Sequence, residues 1–351
     1  MVAIEGLNPN DPGIRLLADA VVGVPDEDIL LAYCGDVPHV GPRAQRLVLD
    51  VREPIDARHR CHFAQLEPTS VPEVGPFGVA LCWPRAHLGK DFSHRTFAEA
   101  ALRLRVGGVL HCAVRKQKGA KSLADTLARM LGHVTITGRA SGYQRLTATR
   151  SSNFDAKMAT QLWRTSYEVA DRRLGDKTLR SVPGVFSRRE IDAGTAALID
   201  HVASHELDAD VHRVLDLCAG IGPLALWAAS RWPAARVSAV ETNVLAAALI
   251  EQNATRHGLR DRVEVARVDA SRPLPDAVAC GVDVAVCNPP THASPAELAA
   301  MLGQLRSRLA AHGRVYVVVN RVGRAAAALA EAGATIDVTP VDGYTILTAR
   351  W

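Results

Sequence analysis

The sequence predicts an α/β protein built twice, as two tandem units that each surround a largely parallel sheet. Three observations carry this. The chain has 351 residues, room for two domains at roughly 150 residues each. Its second half alternates short β-branched runs with helical stretches, the pattern of a parallel sheet with covering helices. Its first half repeats the second at three places in the same order.

The second half is the clearer copy. Residues 211–217 form an apolar strand that ends in Cys218-Ala219-Gly220-Ile221-Gly222. A helix over 223–231 comes next, with Pro223 suited to its first turn. Residues 236–241 are a second strand, and 243–257 its helix, stopped by Gly258. Residues 263–269 and 282–287 are the third and fourth strands. The fourth stops at Asn288-Pro289-Pro290. A helix is expected over 295–311, a fifth strand over 313–320 and an Ala-rich helix over 321–332. Two closing strands, near 335–339 and 345–350, have no helix between them and predict an antiparallel hairpin at the sheet edge.

The first half echoes these elements. Gly107-Gly108-Val-Leu-His-Cys-Ala-Val-Arg115 matches Gly313-Arg-Val-Tyr-Val-Val-Val-Asn-Arg321. Residues 141–150, opening on Ser141-Gly142-Tyr143, match residues 342–351, opening on Asp342-Gly343-Tyr344. Residues 79–87 stand where 284–292 stand in the second half. The first strand of this copy, at 29–34, lacks a glycine-rich turn and offers only Gly35. The expected division is 1–150 for a degenerate unit, 151–182 for a linker with a short hairpin, and 183–351 for an active unit.

Composition narrows the class. Hydrophobic residues make up 48% and charged residues 22%, which excludes a disordered, collagen-like or coiled-coil chain. No apolar run reaches the roughly 18 residues that span a bilayer. The N-terminal residues 1–6 lack the basic-then-apolar pattern of a signal peptide. A cytoplasmic protein with no membrane partner is expected. Seven cysteines, with no C-x-x-C pair, argue against a disulfide framework or a zinc cage. His59, Cys61 and His62 cluster without a second ligand group at zinc spacing, so no metal is expected. Residues 1–150 carry 19 Lys/Arg against 15 Asp/Glu, whereas 151–351 carry 22 of each. The densest basic stretch holds Arg115, Lys116, Lys118 and Lys121. It is either a phosphate-binding loop or a solvated surface.

In open α/β sheets, ligands bind at the carboxyl ends of the strands. Four such ends line up in the second half. After the first come Asp216, Cys218, Ala219, Gly220 and Gly222, where glycine lets backbone approach a ligand and a helix N-terminus offers free N–H groups. Glu241 ends the second strand, where a carboxylate can take both hydroxyls of a ribose. Asp269 ends the third, before Ala270, where a carboxylate can accept from an adenine amino group. Asn288 ends the fourth. Any one acid alone is equally a solvated strand end or a helix cap. A dinucleotide site would want G-x-G-x-x-G, and the turn C-A-G-I-G-P, with Pro223, departs from it.

Together these ends resemble the class I S-adenosylmethionine-dependent methyltransferases. The resemblance implies S-adenosyl-L-methionine as cofactor, bound by the residues just named, and Rossmann-like methyltransferase domains. N-P-P resembles the signature of enzymes that methylate a planar nitrogen. Such an amine is a poor nucleophile because its lone pair is delocalised. The Asn288 side-chain oxygen and the Pro289 carbonyl can accept its two hydrogens and aim it at the methyl group. These two are the expected catalytic residues.

Residues 183–195, Pro-Gly-Val-Phe186-Ser187 through Asp192-Ala-Gly-Thr195, resemble the lead-in of the bacterial ribosomal RNA guanine-N2 methyltransferases of the RsmC and RlmG type. Those proteins pair a degenerate N-terminal methyltransferase-like domain with an active C-terminal one. The resemblance implies methylation of a guanine N2 amine in ribosomal RNA or a ribosomal subunit. It implies that Phe186, Ser187, Asp192 and Thr195 close the cofactor pocket, and that Pro290, Thr291 and His292 meet the substrate. The basic residues Arg115, Lys116, Lys118 and Lys121 would hold RNA. Thr291 stands where the family has an aromatic that stacks on the flipped base, so stacking must come from elsewhere. That departure keeps other planar nitrogens open: an adenine in nucleic acid, a protein glutamine, or a small molecule. A non-catalytic RNA-binding module is the third reading, and the intact Asp216, Glu241, Asp269 and Asn288 argue against it.

Overall fold

The structure, a computed structural model, describes residues 8–53, 58–67, 75–205 and 210–351. The expectation about residues 1–6 lies outside these. The chain forms two compact units, Met1–Ser166 with Val182–Gly184, and Tyr167–Ser181 with Val185–Trp351.

The first unit holds β1 (Ile29–Ala32), β2 (Gln45–Val48), β3 (Arg60–Phe63), β4 (Phe77–Cys82), β5 (Leu104–Arg115), β6 (Val134–Ala140) and β7 (Tyr143–Thr149). Their order in the sheet is β3-β2-β1-β4-β5-β7-β6. A hairpin of β8 (Tyr167–Ala170) and β9 (Thr178–Ser181) opens the second unit. Then come β10 (Arg213–Leu217), β11 (Arg236–Val240), β12 (Val263–Ala266), β13 (Val282–Cys287), β14 (Leu309–Val319), β15 (Thr335–Val341) and β16 (Tyr344–Arg350). Their order is β12-β11-β10-β13-β14-β16-β15.

Place by place, the two orders are the same. In each, five strands run parallel and the closing hairpin is antiparallel. Even the irregularities agree, since the register slips between Phe77 and Val79 in one sheet and between Val282 and Val284 in the other. The glycine shared by both copies explains itself there. A Cβ on Gly313 would lie 2.5 Å from the Val282 carbonyl, and one on Gly108 3.0 Å from that of Phe77.

The central strands of the second unit are buried. Val214, Leu215 and Leu217 of β10 and Val284, Ala285, Val286 and Cys287 of β13 are all buried, as expected of a parallel sheet covered on both faces. Pro223–Arg231 is helical, with Pro at its start and Gly222 before it at φ 91°. Three expected boundaries move by three residues or more. The helix from Pro295 ends at Gly303, a short turn Leu305–Arg308 comes after it, and β14 begins at Leu309. Pairing of Leu309 with Val282 overrides the helical look of Leu-Ala-Ala-His. The third strand stops at Ala266 because its partner stops at Val240, which leaves Asp269 in the loop beyond.

Residues 151–182 divide between the units. Ala156–Trp163 is a helix capped by Asp155, which accepts from the Met158 N–H at 2.8 Å, and Trp163 is buried in the first unit. The β8–β9 hairpin belongs to the second unit.

Strand register also shows where the two units differ. Leu217 lies level with Val240 and Cys287, and Ala32 lies level with Leu47 and Cys82. By that alignment Leu31 takes the place of Asp216, Val48 that of Glu241, and Trp83 that of Asn288. All three are buried. The first unit keeps the frame and carries apolar side chains where the second carries polar strand ends.

Candidate active site

The second unit gathers its polar strand ends by register. Since Leu217, Val240 and Cys287 are level, Cys218, Glu241 and Asn288 leave three adjacent strands side by side, roughly 5 Å apart. Cys218 turns the chain at φ 67° and Gly220 at φ 58°. The Ala219 N–H donates to the Val240 carbonyl at 3.0 Å. At Gly222 a positive φ combines with a tight wall. A Cβ there would lie 3.1 Å from Leu226 and 3.2 Å from Ile250.

Asp216 is wholly buried, and neither of its carboxylate oxygens has a hydrogen-bond partner among the described residues. Burial pushes its carboxyl up to about 8; the Ala225 backbone N–H, near but outside hydrogen-bond geometry, opposes this in part and the Glu241 charge adds to it. An orphaned buried acid at the end of a central strand is costly. It fits a ligand that brings a donor or a positive charge, and S-adenosylmethionine carries both an ammonium and a sulfonium.

Glu241 is held from two sides. Its Oε2 accepts from the Gly220 N–H at 2.7 Å, and its Oε1 from the Asn243 N–H at 2.8 Å. The Thr242 hydroxyl also donates to Oε1, at 3.5 Å. Asp269 lies in the loop after β12. Its Oδ1 accepts from the backbone N–H and the hydroxyl of Ser271 at 2.9 and 2.7 Å, and Arg272 stands 3.5 Å from its Oδ2. Ala270 beside it is buried, and its carbonyl accepts from Gln304.

Asn288 comes directly after β13. Its Nδ2 donates to Asp192 Oδ2 at 3.0 Å and to Thr195 Oγ1 at 2.8 Å. Its Oδ1 has no partner among the described residues. Asp192 caps the helix Ala193–Ser204 and accepts from the Thr195 N–H at 3.1 Å. The lead-in segment and the N-P-P turn, far apart in sequence, therefore meet at this amide. Phe186 is 62% exposed. Ser187 has φ 49° and donates its hydroxyl to the Glu190 carbonyl at 2.8 Å. Pro289 is half-buried, and Pro290, Thr291 and His292 are exposed.

One supporting residue was not visible in the sequence pattern. Asn253, wholly buried on the helix Val244–Arg256, donates to the Ile221 carbonyl at 3.2 Å and exchanges hydrogen bonds with the Arg180 backbone of β9. It ties the glycine turn to the hairpin. A lone Asn among Ala and Leu on a helical face was the available signal.

The basic stretch lies in the other unit. Arg115 is committed to Tyr143, donating its Nε to the phenol oxygen at 2.8 Å. Lys116, Lys118 and Lys121 are exposed and make no ion pair among the described residues. Among the described residues no helix is long and apolar enough to cross a membrane.

Comparison with known proteins agrees with this geometry. Residues 176–348 match the family described as Methyltransferase small domain. The chain is 30% identical over 216 residues to the ribosomal RNA small subunit methyltransferase C of Hahella chejuensis, covering 61% of this chain and 58% of that relative. It is 39% identical over 99 residues to the ribosomal protein uL3 glutamine methyltransferase of Bradyrhizobium diazoefficiens, 28% of each chain. Among solved structures, that of the T. thermophilus 16S rRNA N2 methyltransferase RsmC, in complex with AdoMet and guanosine, shares the fold. Its TM-score is 0.80 at 23% identity, over 97% of this chain and 92% of that one.

Proposed function

We propose that this chain, whose residues 176–348 match the methyltransferase small domain and which is similar to relatives of the RsmC type, is an S-adenosylmethionine-dependent methyltransferase that transfers a methyl group to the exocyclic N2 amine of a guanine in ribosomal RNA. The observation that carries the reading is the amide of Asn288, whose nitrogen is engaged and whose oxygen is free.

When bound, S-adenosylmethionine supplies an electrophilic methyl group. The chain's own residues do the rest. Asp216, Glu241, Asp269 and the turn from Cys218 to Gly222 would hold the cofactor. Asn288 Oδ1 and the Pro289 carbonyl would each accept one hydrogen of the amine. Two fixed acceptors set the nitrogen's direction and favour the charge that grows on its hydrogens as the N–C bond forms. As alkylation makes the nitrogen acidic, its surplus proton would pass to solvent water rather than to either acceptor. Thr291 offers no ring to stack on a base, so the base would rest on another surface. Lys116, Lys118 and Lys121 would add phosphate contacts. A ribosomal substrate would place the protein in the cytoplasm.

A second reading has a specific basis. A glutamine side-chain amide is also a planar nitrogen, Thr291 removes the base-stacking ring, and a glutamine methyltransferase is among the relatives. Incubation with labelled S-adenosylmethionine and ribosomal subunits from a strain lacking the gene separates the two. Label recovered as N2-methylguanosine supports the first reading. Label confined to ribosomal protein as methylglutamine supports the second.

A further inference from the structure

The Asn288 amide is useful only if its oxygen faces the substrate. We propose that Asp192 and Thr195 are positioning residues that lock this amide, rather than walls of the cofactor pocket. The proposal rests on the reading of Asn288 as acceptor for the amine.

Both hydrogens of the Asn288 Nδ2 are used, one by Asp192 Oδ2 at 3.0 Å and one by Thr195 Oγ1 at 2.8 Å. A flipped amide would set its oxygen against the Asp192 carboxylate, two acceptors with no hydrogen between them. A carboxylate on the N–H also polarises the amide and makes its oxygen a stronger acceptor. The Thr195 hydroxyl has no part in capping the helix, which uses the Asp192 carboxylate and the Thr195 backbone N–H.

The first unit serves as an internal control. Its Asp11 caps Pro12–Ala18 as Asp192 caps Ala193–Ser204. Gly13 lies against Tyr143 as Gly194 lies against Tyr344. Three residues after the cap, however, the first unit has Ile14, and its strand end has Trp83. The second unit has Thr195 and Asn288. The hydroxyl is present where the amide is present, and both are replaced by apolar side chains together. Asp11, with no amide to hold, accepts instead from the Tyr143 hydroxyl at 3.1 Å.

The test compares Thr195→Val, which keeps shape and removes the acceptor, with Thr195→Ser, which restores it. Asp192→Ser retains a good cap but shortens the reach to Asn288. Three quantities are read: kcat and KM on ribosomal subunits, cofactor Kd by calorimetry, and hydrogen exchange of the 15N-labelled Asn288 side-chain amide. Thr195→Val and Asp192→Ser should lower kcat at least ten-fold with cofactor Kd within two-fold of wild type. Thr195→Ser should recover most of the rate, and Asn288 exchange should quicken at least five-fold in Thr195→Val. Cofactor affinity falling in step with kcat, or unchanged exchange, would overturn the proposal. The exchange measurement needs no methyl acceptor. If the wild type leaves ribosomal RNA unmethylated, the proposed function fails while exchange still decides the positioning role.

Discussion

Gly220 donates its N–H to Glu241 Oε2 across 2.7 Å. This bond ties the loop after β10 to the end of β11 before any ligand arrives. The carboxylate expected to take a ribose is thus already aimed by the glycine turn expected to admit the rest of the cofactor. Such preorganisation lowers the ordering cost of binding. It leaves Asp216, on the strand that feeds the turn, still without a partner among the described residues.

The Asp216 carboxyl, raised to about 8 by burial, titrates near 3.9 when unfolded. Between those values the folded state binds the extra proton, so stability falls as pH rises from about 4 to about 8 and then levels. The ligand-free protein should therefore lose more stability between pH 5 and pH 8 than its Asp216→Asn variant does, measured by urea unfolding. Cofactor binding near pH 7 should release protons from wild type and not from the variant. Equal pH slopes in the two proteins would contradict the buried, unpaired carboxylate.

Gly222→Ala meets two obstacles at once, a φ of 91° and side chains 3.1–3.2 Å from the new Cβ. It should cost about 1–3 kcal/mol of stability and weaken cofactor binding. Gly220, at φ 58° with nothing near its Cβ position, should tolerate alanine better. Thermal unfolding of the two variants side by side checks the order.

The first unit carries Leu31, Val48 and Trp83 where the second has Asp216, Glu241 and Asn288. Calorimetry should therefore find one S-adenosylmethionine per chain. Replacing Asp216 and Glu241 together by alanine should abolish all binding. A second site that survives in that variant would show that the first unit still holds a ligand.

Much of this was legible in the sequence, and the misses share a cause. Gly107-Gly108 and Gly313, and the two Gly-Tyr pairs 142–143 and 343–344, disclosed the duplication because a bulge and a hairpin turn demand those residues wherever they recur. Asp216, Glu241 and Asn288 stood out because each ends an apolar run. The contact of Asp192 with Asn288 spans 96 residues, and no local pattern encodes it. Residues 309–312 have helical composition, yet pairing with β13 draws them into β14. Asp269 sits beyond its strand because strand length is set by the partner strand, which its own sequence does not contain.

Lys116 and Lys118 are exposed and unpaired among the described residues. If they contact phosphates, changing both to alanine should flatten the log–log salt dependence of RNA binding by about 1.4 to 1.8. Filter binding of ribosomal RNA between 50 and 200 mM salt, concentrations chosen for about the range over which such contacts are resolved, reads this directly. An unchanged slope would assign the stretch to solvated surface.

The most direct test of the account is Asn288→Ala, measured in one preparation for cofactor binding and for single-turnover methyl transfer to ribosomal subunits. The amide is proposed to act on the amine and to leave the cofactor alone. Its removal should slow transfer by roughly 10²–10³-fold, the usual loss for one oriented group that stabilises a transition state, while cofactor Kd stays within two-fold. A near-normal rate, or a rate that falls only as cofactor affinity falls, would contradict the account.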